Sequence, residues 1–442
     1  MTLEINRRNF LKTAALSGAA IGLTGPYSFA KGANSANERV RVAVMAARGR
    51  GGAMARSFAA VDGTEVASIF DVDSRPLEGL ANAVANIQGT RPTTGTDFRT
   101  ALDDNEVDAL VIACPDHWHT PASIMAMQAG KHVYVEKPGS HNPWEADILV
   151  RARQRYGKVV QMGNQQRSSP ESMQAIREIR EGIIGEVHYA KAFYSNARGP
   201  IGHGKVAPVP DWLDYELWQG PAPRTPYRDN VVHYNWHWFK KWGTGELLNN
   251  GTHEVDICRW ALGVERPLRV SSHGGRYYYD DDWEFYDTQN VTYDFPGGKS
   301  INWEGLSANG FPSFNLGRGS VIYGSQGTIM MDRNGYIVYN RGNEEVKRVM
   351  TGDAADPLDT VGGGSLVDMH VHNFVQGIRV DAQLNSPIDE GQLSVQMLHL
   401  GNIAQYVNRT LNIDPDSGRI IGDAQAMSYW KRPYEPGWEV RI

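Results

Sequence analysis

Between Arg39 and Gly163 the sequence repeats a pattern that few architectures accommodate. Short apolar runs rich in β-branched residues (VRVAVMA, EVASIFDV, VDALVIAC, HVYVEK and KVVQMG) are separated by stretches of helical character such as SIMAMQAG and PWEADILVRARQRYG. A run that is apolar throughout, rather than on alternate residues, suits a strand covered on both faces. The second helical stretch opens with Pro143 near its first turn and stops at Gly157, the residue types that begin and end helices. Strand and helix in alternation predict a doubly wound parallel sheet over residues 38–163.

After PESMQAIREIREGIIG the pattern changes. The segments EVHYAKAFYS, PLRVSSHGGRYYYD, TQNVTYDFPGGKSINWEG, GSVIYGSQGTIMMD and GYIVYN alternate in polarity and are rich in aromatic residues. Gly-containing turns at 297–298, 324–327 and 335 separate several of them, which predicts a mostly antiparallel sheet in a second, α+β domain over 164–442. A helical insertion, GELLNNGTHEVDICRWALG, interrupts these strands. Helices near 365–380 and 391–410 are expected to return over the sheet or over the first domain. A length of 442 residues agrees with two domains.

The chain is 41% hydrophobic and 21% charged, the balance of a soluble globular protein. Its net charge of −6 gives no reason to expect nucleic acid as a partner. Twelve Trp and 19 Tyr supply flat, hydrogen-bonding surface of the kind used for ring-shaped ligands, although packing and subunit interfaces use it more often. Cys114 and Cys258 stand far apart, which excludes a disulfide framework and gives no metal-ligand spacing.

At the N-terminus, NRRNFLK places Arg7 and Arg8 before Phe10, Leu11 and Lys12. A mildly apolar Ala/Gly-rich stretch follows from Ala14 to Gly25, and the small residues of SFA at 28–30 suit cleavage. Residues 1–30 therefore read as a signal peptide, too short and too mild for a spanning helix. The paired arginines point to the twin-arginine route, with Asn6 where Ser or Thr is usual. That route carries folded proteins, so a cofactor scarce outside the cytoplasm can be loaded before export.

Ligands of a doubly wound sheet bind at its strand ends. The first turn, AARGRGG, departs from G-x-G-x-x-G at Ala46 and Arg48 and keeps Gly51 for close helix approach. Ala46 costs little there if its φ stays negative. The amides opening the next helix, at Gly49 and Arg50, remain available to phosphate, and Arg48 can bind phosphate by its side chain. Asp71, 25 residues after Ala46, ends the second strand where a carboxylate holds the ribose hydroxyls of NAD. The bland alternative is an Asx-turn or helix cap in DVDS. Arg75, with Arg48, keeps NADP open.

The fourth strand ends in CPDHWHTP, which brings Pro115, Asp116, His117, Trp118 and His119 to the edge. With no third metal ligand at sensible spacing, this reads as a turn into a helix, with Trp118 facing the cleft. The fifth ends in YVEKPGS. Lys137 precedes Pro138, which favours extended backbone and sends the ammonium off the carboxyl edge, where it can polarise or protonate a substrate oxygen. In GELLNNGTHEVD, Asn249, His253 and Asp256 share one helical face. A neutral imidazole oriented by Asp256 suits proton acceptance, and a core histidine is the competing reading. Trp236, His237 and Trp238, just upstream, suit the lining of a polar pocket.

Taken in order, PDHWH, the EKP of 136–138, the GNQQR of 163–167 and the G-x-H-x-x-D of 251–256 resemble the Gfo/Idh/MocA oxidoreductase family over nearly the whole mature chain. HNFVQGIR and LGNIAQYVNRTLNIDPDSGRI further resemble its twin-arginine-exported subgroup. The resemblance implies a Rossmann domain and an open-sheet domain that builds dimers or tetramers. It implies NAD(P)-dependent oxidation or reduction of a sugar, cyclitol or related polyol; Asp71 favours NAD, and the spacing gives no metal. Lys137 matches the family's catalytic lysine and His253 its acid/base. Asn249 stands where the family commonly has Asp, and an amide can orient substrate or His253 but accept no proton.

The cofactor set then comprises Ala46, Arg48, Gly49, Arg50, Gly51, Asp71 and Arg75 from the first two strand ends. Pro115, Asp116, His119, Glu136, Lys137 and Gln165 complete it from the later ones. The substrate set is Trp118, Arg167, Trp236, His237, Asn249 and Asp256. Three functions compete: a periplasmic dehydrogenase with a permanently held nicotinamide; a glycosidase working by transient oxidation, with Tyr194, Glu246 and His237 as its extra acid/base candidates; and a non-catalytic carbohydrate-binding protein.

Overall fold

The structure, a computed structural model, describes residues 39–351 and 365–442. The leader expected at 1–30 lies outside the described residues. Each apolar run of the first region is a strand: β1 (Val40–Met45), β2 (Thr64–Phe70), β4 (Ala109–Ile112), β5 (His132–Val135) and β6 (Val160–Met162). With the short edge strand β3 (Thr93–Gly95) they form a parallel six-stranded sheet in the order β3-β2-β1-β4-β5-β6. In this order the chain reverses direction beside β1, opening a crevice at the carboxyl ends of β1 and β4. The runs are continuous because helices cover both faces. Val42, Val44 and Val66 pack against Met54 and Phe58 of α1 (Gly49–Ala60). Leu110, Ile112 and Val135 share the opposite core with Ile124 and Met127 of α2 (Asp116–Gln128) and Leu149 of α3 (Pro143–Tyr156). Asn142 caps α3 by accepting a hydrogen bond from Glu145 N–H, and Gly157 ends it at φ +61°.

The second sheet has ten strands, mostly antiparallel. Its centre is β7 (Val187–Ala197), paired in parallel with β10 (Ser300–Leu306) and antiparallel with β12 (Arg318–Gly324). Polarity alternates cleanly in β9 (Thr288–Asp294) and β10: Val291, Tyr293, Ile301 and Trp303 are buried, while Asn290, Thr292, Asn302 and Glu304 are half-exposed. The buried face packs under two helices, α5 (Gly251–Leu262) and α7 (Ile388–Val407).

The helical insertion is not one helix. It divides at Asn250 into α4 (Gly245–Asn249) and α5. Of the two returning helices, α6 (Ser365–Val380) covers the first sheet, with Phe374 against Phe58 and Tyr134, while α7 wedges between α3 and the second sheet. The last helix starts and ends about three residues earlier than its pattern indicated, because Pro387 cannot be a helix interior and Asn408 takes the left-handed conformation at φ +50°. Strands β3 and Glu345–Met350 have no clear apolar signal. Both lie on sheet edges, where burial places little demand on sequence.

Candidate active site at the carboxyl edge of the parallel sheet

The first turn is built around Ala46. Its φ is +100°, not negative as its identity led us to expect. The turn demands a left-handed residue here, and alanine adopts it at a cost of about 1–2 kcal/mol. Ala46 N–H donates to Phe70 O (2.8 Å), and Ala47 N–H donates to Asp71 Oδ2 (2.7 Å). A Cβ on Gly51 would lie 2.2 Å from Ala46 O, so glycine is what lets α1 close on β1. Arg48 does not reach toward a phosphate. Its Nε donates to Asp73 Oδ2 at 2.7 Å. Arg75 pairs with the same carboxylate (Nη2–Oδ2 2.7 Å) and lays its guanidinium 3.4 Å from the centre of the Trp212 ring. His233 Nε2 donates to it as well, at 3.0 Å. Burial alone would raise the Asp73 pKa, but hydrogen bonds from Arg75, Arg48 and His233 outweigh it and hold the carboxyl below its usual range. Asp71 lies raised, because burial prevails over its two backbone donors.

In PDHWH the two histidines are structural. His119 Nε2 donates to Cys114 O (2.8 Å) and its Nδ1 accepts from Gly139 N–H (3.2 Å), tying the ends of β4 and β5 together. His117 Nε2 donates to Trp218 O at 2.9 Å. Burial takes both imidazoles to about 3, so both are neutral. Among the described residues no cluster of three side chains suited to a metal occurs. Trp118 corrects the expectation of a cleft-facing ring. It is 2% exposed, donates to Trp218 O (3.1 Å) and meets Phe98 and Trp438 edge-on, because the first turn of α2 directs it inward. Asp116, beside Pro115 at the start of that helix, accepts from Thr244 Oγ1 at 2.6 Å, and burial raises it to about 7.

Glu136 is clamped by Arg50 (Nε–Oε1 2.8 Å) and Gln165 (Nε2–Oε1 3.0 Å), over a Gly163 whose Cβ would come within 2.7 Å of the carboxylate. Lys137 leaves the strand end beyond it. Its Nζ donates to Asn249 O (2.6 Å) and to Asn249 Oδ1 (2.9 Å). Desolvation pulls the ammonium down to about 8, despite the opposing charges of Asp116, Glu136 and Glu246. Asn249 thus orients Lys137 rather than His253. Its own Nδ2 donates to Glu246 Oε1 (3.3 Å), and Glu246 Oε2 takes a 2.7 Å hydrogen bond from Arg198, whose Nη2 donates to the Tyr194 hydroxyl at 3.2 Å.

His253 is 6% exposed, and its ring forms no hydrogen bond with another described residue. Desolvation and the surrounding cations Arg333, Lys137, Arg318 and Arg50 hold its pKa well below the ordinary value, so the imidazole is neutral. Asp256 does not orient it. That carboxylate is paired with Arg167 (Nε 2.6 Å, Nη2 2.9 Å) and accepts from Ser394 Oγ (2.6 Å), a buried ion pair binding α5 to α7 and to the turn after β6. Arg167 and Asp256, 4% and 1% exposed, thus spend their charges on each other within the scaffold. Trp236 stacks on His237 at 3.6 Å, and His237 Nδ1 donates to Tyr234 O at 2.5 Å. Burial lowers His237 to about 3, with Lys137 and Arg198 adding to the effect. Trp238 is buried against Trp283 and lines nothing.

Sequence reasoning missed Arg198, Thr244, Trp212 and His233. None sits at a strand end of the parallel sheet or in a recognisable spacing: Arg198 follows the last residue of β7, and the others lie between β7 and α4.

Residues 40–164 match the family described as oxidoreductase, NAD-binding Rossmann fold, and residues 173–330 match the GFO/IDH/MocA C-terminal domain. The chain belongs to the Gfo/Idh/MocA oxidoreductase family. Its first sheet is accordingly an NAD(P)-binding Rossmann domain. Residues 4–24 match the twin-arginine translocation signal, which directs this family member to the periplasm. No helix among the described residues is long and apolar enough to cross a membrane.

Similar curated proteins include a glycosyl hydrolase family 109 protein of Saccharopolyspora erythraea, 31% identical over 209 residues (43% of this chain, 45% of that protein). Another, from Shewanella pealeana, is 28% identical over 212 residues (43% and 46%). The chain thus spans about half the length of the curated relatives it matches. Among solved structures, a levoglucosan dehydrogenase in complex with NADH and levoglucosan superposes with a TM-score of 0.65 at 18% identity, covering 85% of this chain and 99% of that one. The aldose-aldose oxidoreductase of Caulobacter crescentus, complexed with glycerol, gives 0.64 at 17% identity, covering 85% and 100%. At such identities these likenesses concern the fold.

Proposed function

We propose that this chain is a periplasmic NAD-dependent oxidoreductase that transfers hydride to or from a ring carbon of a sugar, cyclitol or related polyol. The observation that carries this reading is a desolvated Lys137 ammonium held by Asn249, together with a neutral His253 whose ring forms no hydrogen bond with another described residue. A bound nicotinamide supplies the hydride acceptor or donor. His253 takes the hydroxyl proton of the substrate, and Lys137 donates a hydrogen bond to the same oxygen as charge develops on it. Asn249 accepts no proton and keeps Lys137 aimed.

The residues present fit a dinucleotide. Gly49, at the first turn of α1, would find nothing within 4 Å of an added Cβ, so the positive end of the helix is open to a pyrophosphate. Asp71 spends one hydrogen bond on each oxygen, leaving lone pairs for ribose hydroxyls. Arg48 and Arg75, the groups that would favour a 2′-phosphate, are both committed to Asp73, which supports NAD over NADP. Mass spectrometry of protein recovered from the periplasm tests this. NAD at one equivalent is the expected result; NADP alone, or failure to bind either nucleotide, refutes it.

A second reading is supported by the relatives: the glycosyl hydrolase family 109 proteins match at higher identity than the dehydrogenase structures do. In it the same Lys137 and His253 serve a transient oxidation with no net redox change, with His237, whose pKa burial and Lys137 lower, and Tyr194, joined to Glu246 through Arg198, as further acid/base candidates. A glycoside deuterated at the ring carbon oxidised distinguishes the two. With a second carbonyl substrate present to reoxidise the bound cofactor, keto-sugar in proportion to substrate consumed supports the dehydrogenase; free reducing sugar with an isotope effect and no reduced cofactor supports the glycosidase. Assembly into dimers or tetramers belongs to the same proposal and is read from the native mass.

A further inference from the structure

Between β7 and α4 the segment 204–244 adds no strand to either sheet. It is nevertheless a packed body, with Leu213, Tyr215, Trp218, Tyr227, Val231 and Trp242 forming a core of their own. It lies along the carboxyl edge of the Rossmann sheet and is fastened there at two places. Beside the end of β2, Asp73 and Leu213 form an antiparallel bridge, Ser74 N–H donates to Trp212 O (3.1 Å), and Asp214 N–H donates to Val72 O (2.9 Å). Beside the end of β4, His117 N–H donates to Trp242 O (3.2 Å), and the His117 and Trp118 side chains donate to Trp218 O.

We infer that this segment is a strap that completes the adenosine end of the dinucleotide crevice, and that Trp212 and His233 make the cofactor a resident group. The inference rests on the NAD reading above. Asp73 is its centre: wholly buried, it ties Arg48 of the phosphate turn, Arg75 of the loop after β2 and His233 of the strap to one carboxylate. Arg75 then presses its guanidinium onto Trp212, so the β2 loop and the strap move as one. In a parallel sheet of this order the adenosine lies beyond β2 and the nicotinamide beyond β4 and β5. The two fastenings therefore straddle the dinucleotide, and adenosine cannot leave without parting Trp212 from Arg75 and His233 from Asp73. Exported protein meets little free NAD, and slow release keeps the group loaded in the cytoplasm.

The test uses NADH fluorescence on full-length mature protein carrying W212L and H233L. Both positions are partly exposed, and the replacements keep most of the volume. Bound NADH is chased with excess NAD and its release rate is measured, beside the thermal unfolding midpoint of nucleotide-free protein. The double variant is expected to release NADH on the order of tenfold faster, as the loss of one cation–π contact and one charge-assisted hydrogen bond implies, with the midpoint little changed. A release rate within twofold of wild type overturns the strap. So does wild-type protein whose NADH exchanges within the mixing time, although the proposed function would survive that result. If wild type binds no dinucleotide at all, the function itself fails. Should the double variant not fold, H233L alone decides, since Leu can donate no hydrogen bond to Asp73: unchanged release then overturns the strap.

Discussion

Replacing Asn249 with Asp tests the chemistry assigned to Lys137 most directly. Lys137 Nζ lies 2.9 Å from Asn249 Oδ1, so N249D sets a carboxylate against the ammonium. At an effective dielectric constant of about 20, that contact is worth roughly 6 kcal/mol. Two effects oppose it. The new carboxylate must be desolvated, which costs several kcal/mol. It also lies where Asn249 Nδ2 now meets Glu246 Oε1 at 3.3 Å, so two carboxylates would share that contact. The remainder belongs at the lower end of the range for an opposite charge in contact, an upward shift of about 1 pKa unit. Lys137 titrates at about 8 in the native protein. If it works protonated, kcat/KM is full below that pH and falls as pH rises through it. In N249D the fall moves to higher pH by about 1 unit. If Lys137 works neutral, the profile rises through the same pH and the rise moves upward instead. The assay is kcat/KM for sugar oxidation from neutral to strongly alkaline pH, with bound nucleotide counted at each point. A limb that stays in place, or moves downward, removes Lys137 from the reaction as described.

Removing either member of the pair has a sharper effect on rate than on binding. H253A and K137A should each lower kcat by about 100-fold or more at saturating nucleotide, read by single-turnover kinetics with bound nucleotide counted by mass spectrometry; loss of less than tenfold would show that the group is a bystander. D256N leaves Arg167 buried against a neutral amide and should cost about 3–5 kcal/mol in denaturant unfolding. Activity per folded molecule should be unaltered; a drop in kcat without a loss of stability would keep Asp256 in the substrate set. G51A forces a Cβ to 2.2 Å from Ala46 O. The first turn must then shift, and nucleotide should be lost before the fold is.

The architecture was legible where burial on both faces forces a continuous apolar run. All five runs of the first domain are strands, and the alternating segments of the second lie in one sheet with their apolar sides under α5 and α7. Edge strands escaped because one side faces no packing partner, so Thr93–Gly95 needs no apolar signature. The break at Asn250 escaped for another reason. Periodicity runs straight through it, and the side chain at the break has a distant partner no local pattern reveals: Arg318 from β12 donates to Asn250 Oδ1, beside the local Asn250–Glu246 hydrogen bond.

At the site, spacing located the residues but not their partners. His253 and Asp256 lie three apart on one helix, which is sufficient for them to face the same way and insufficient to bring them into contact. The decision was made by Ser394 on α7 and Arg167 after β6, both far away in sequence, which claim the carboxylate completely. Taking that carboxylate away from His253 changes its chemistry. An imidazole paired with Asp256 would carry a raised pKa and be prone to protonation near neutral pH. Desolvated, and surrounded instead by Arg333, Lys137, Arg318 and Arg50, it stays neutral at that pH, the state the proposed proton acceptor needs. The same logic explains Asn249. A carboxylate there would sit against Glu246 and hold Lys137 as a fixed cation, whereas the amide positions the lysine and leaves its titration near neutral pH. In the proposed reaction the two departures from the expected charge pattern act together: each removes an anion from beside Lys137 or His253, and on that reading leaves the group free to exchange a proton with substrate.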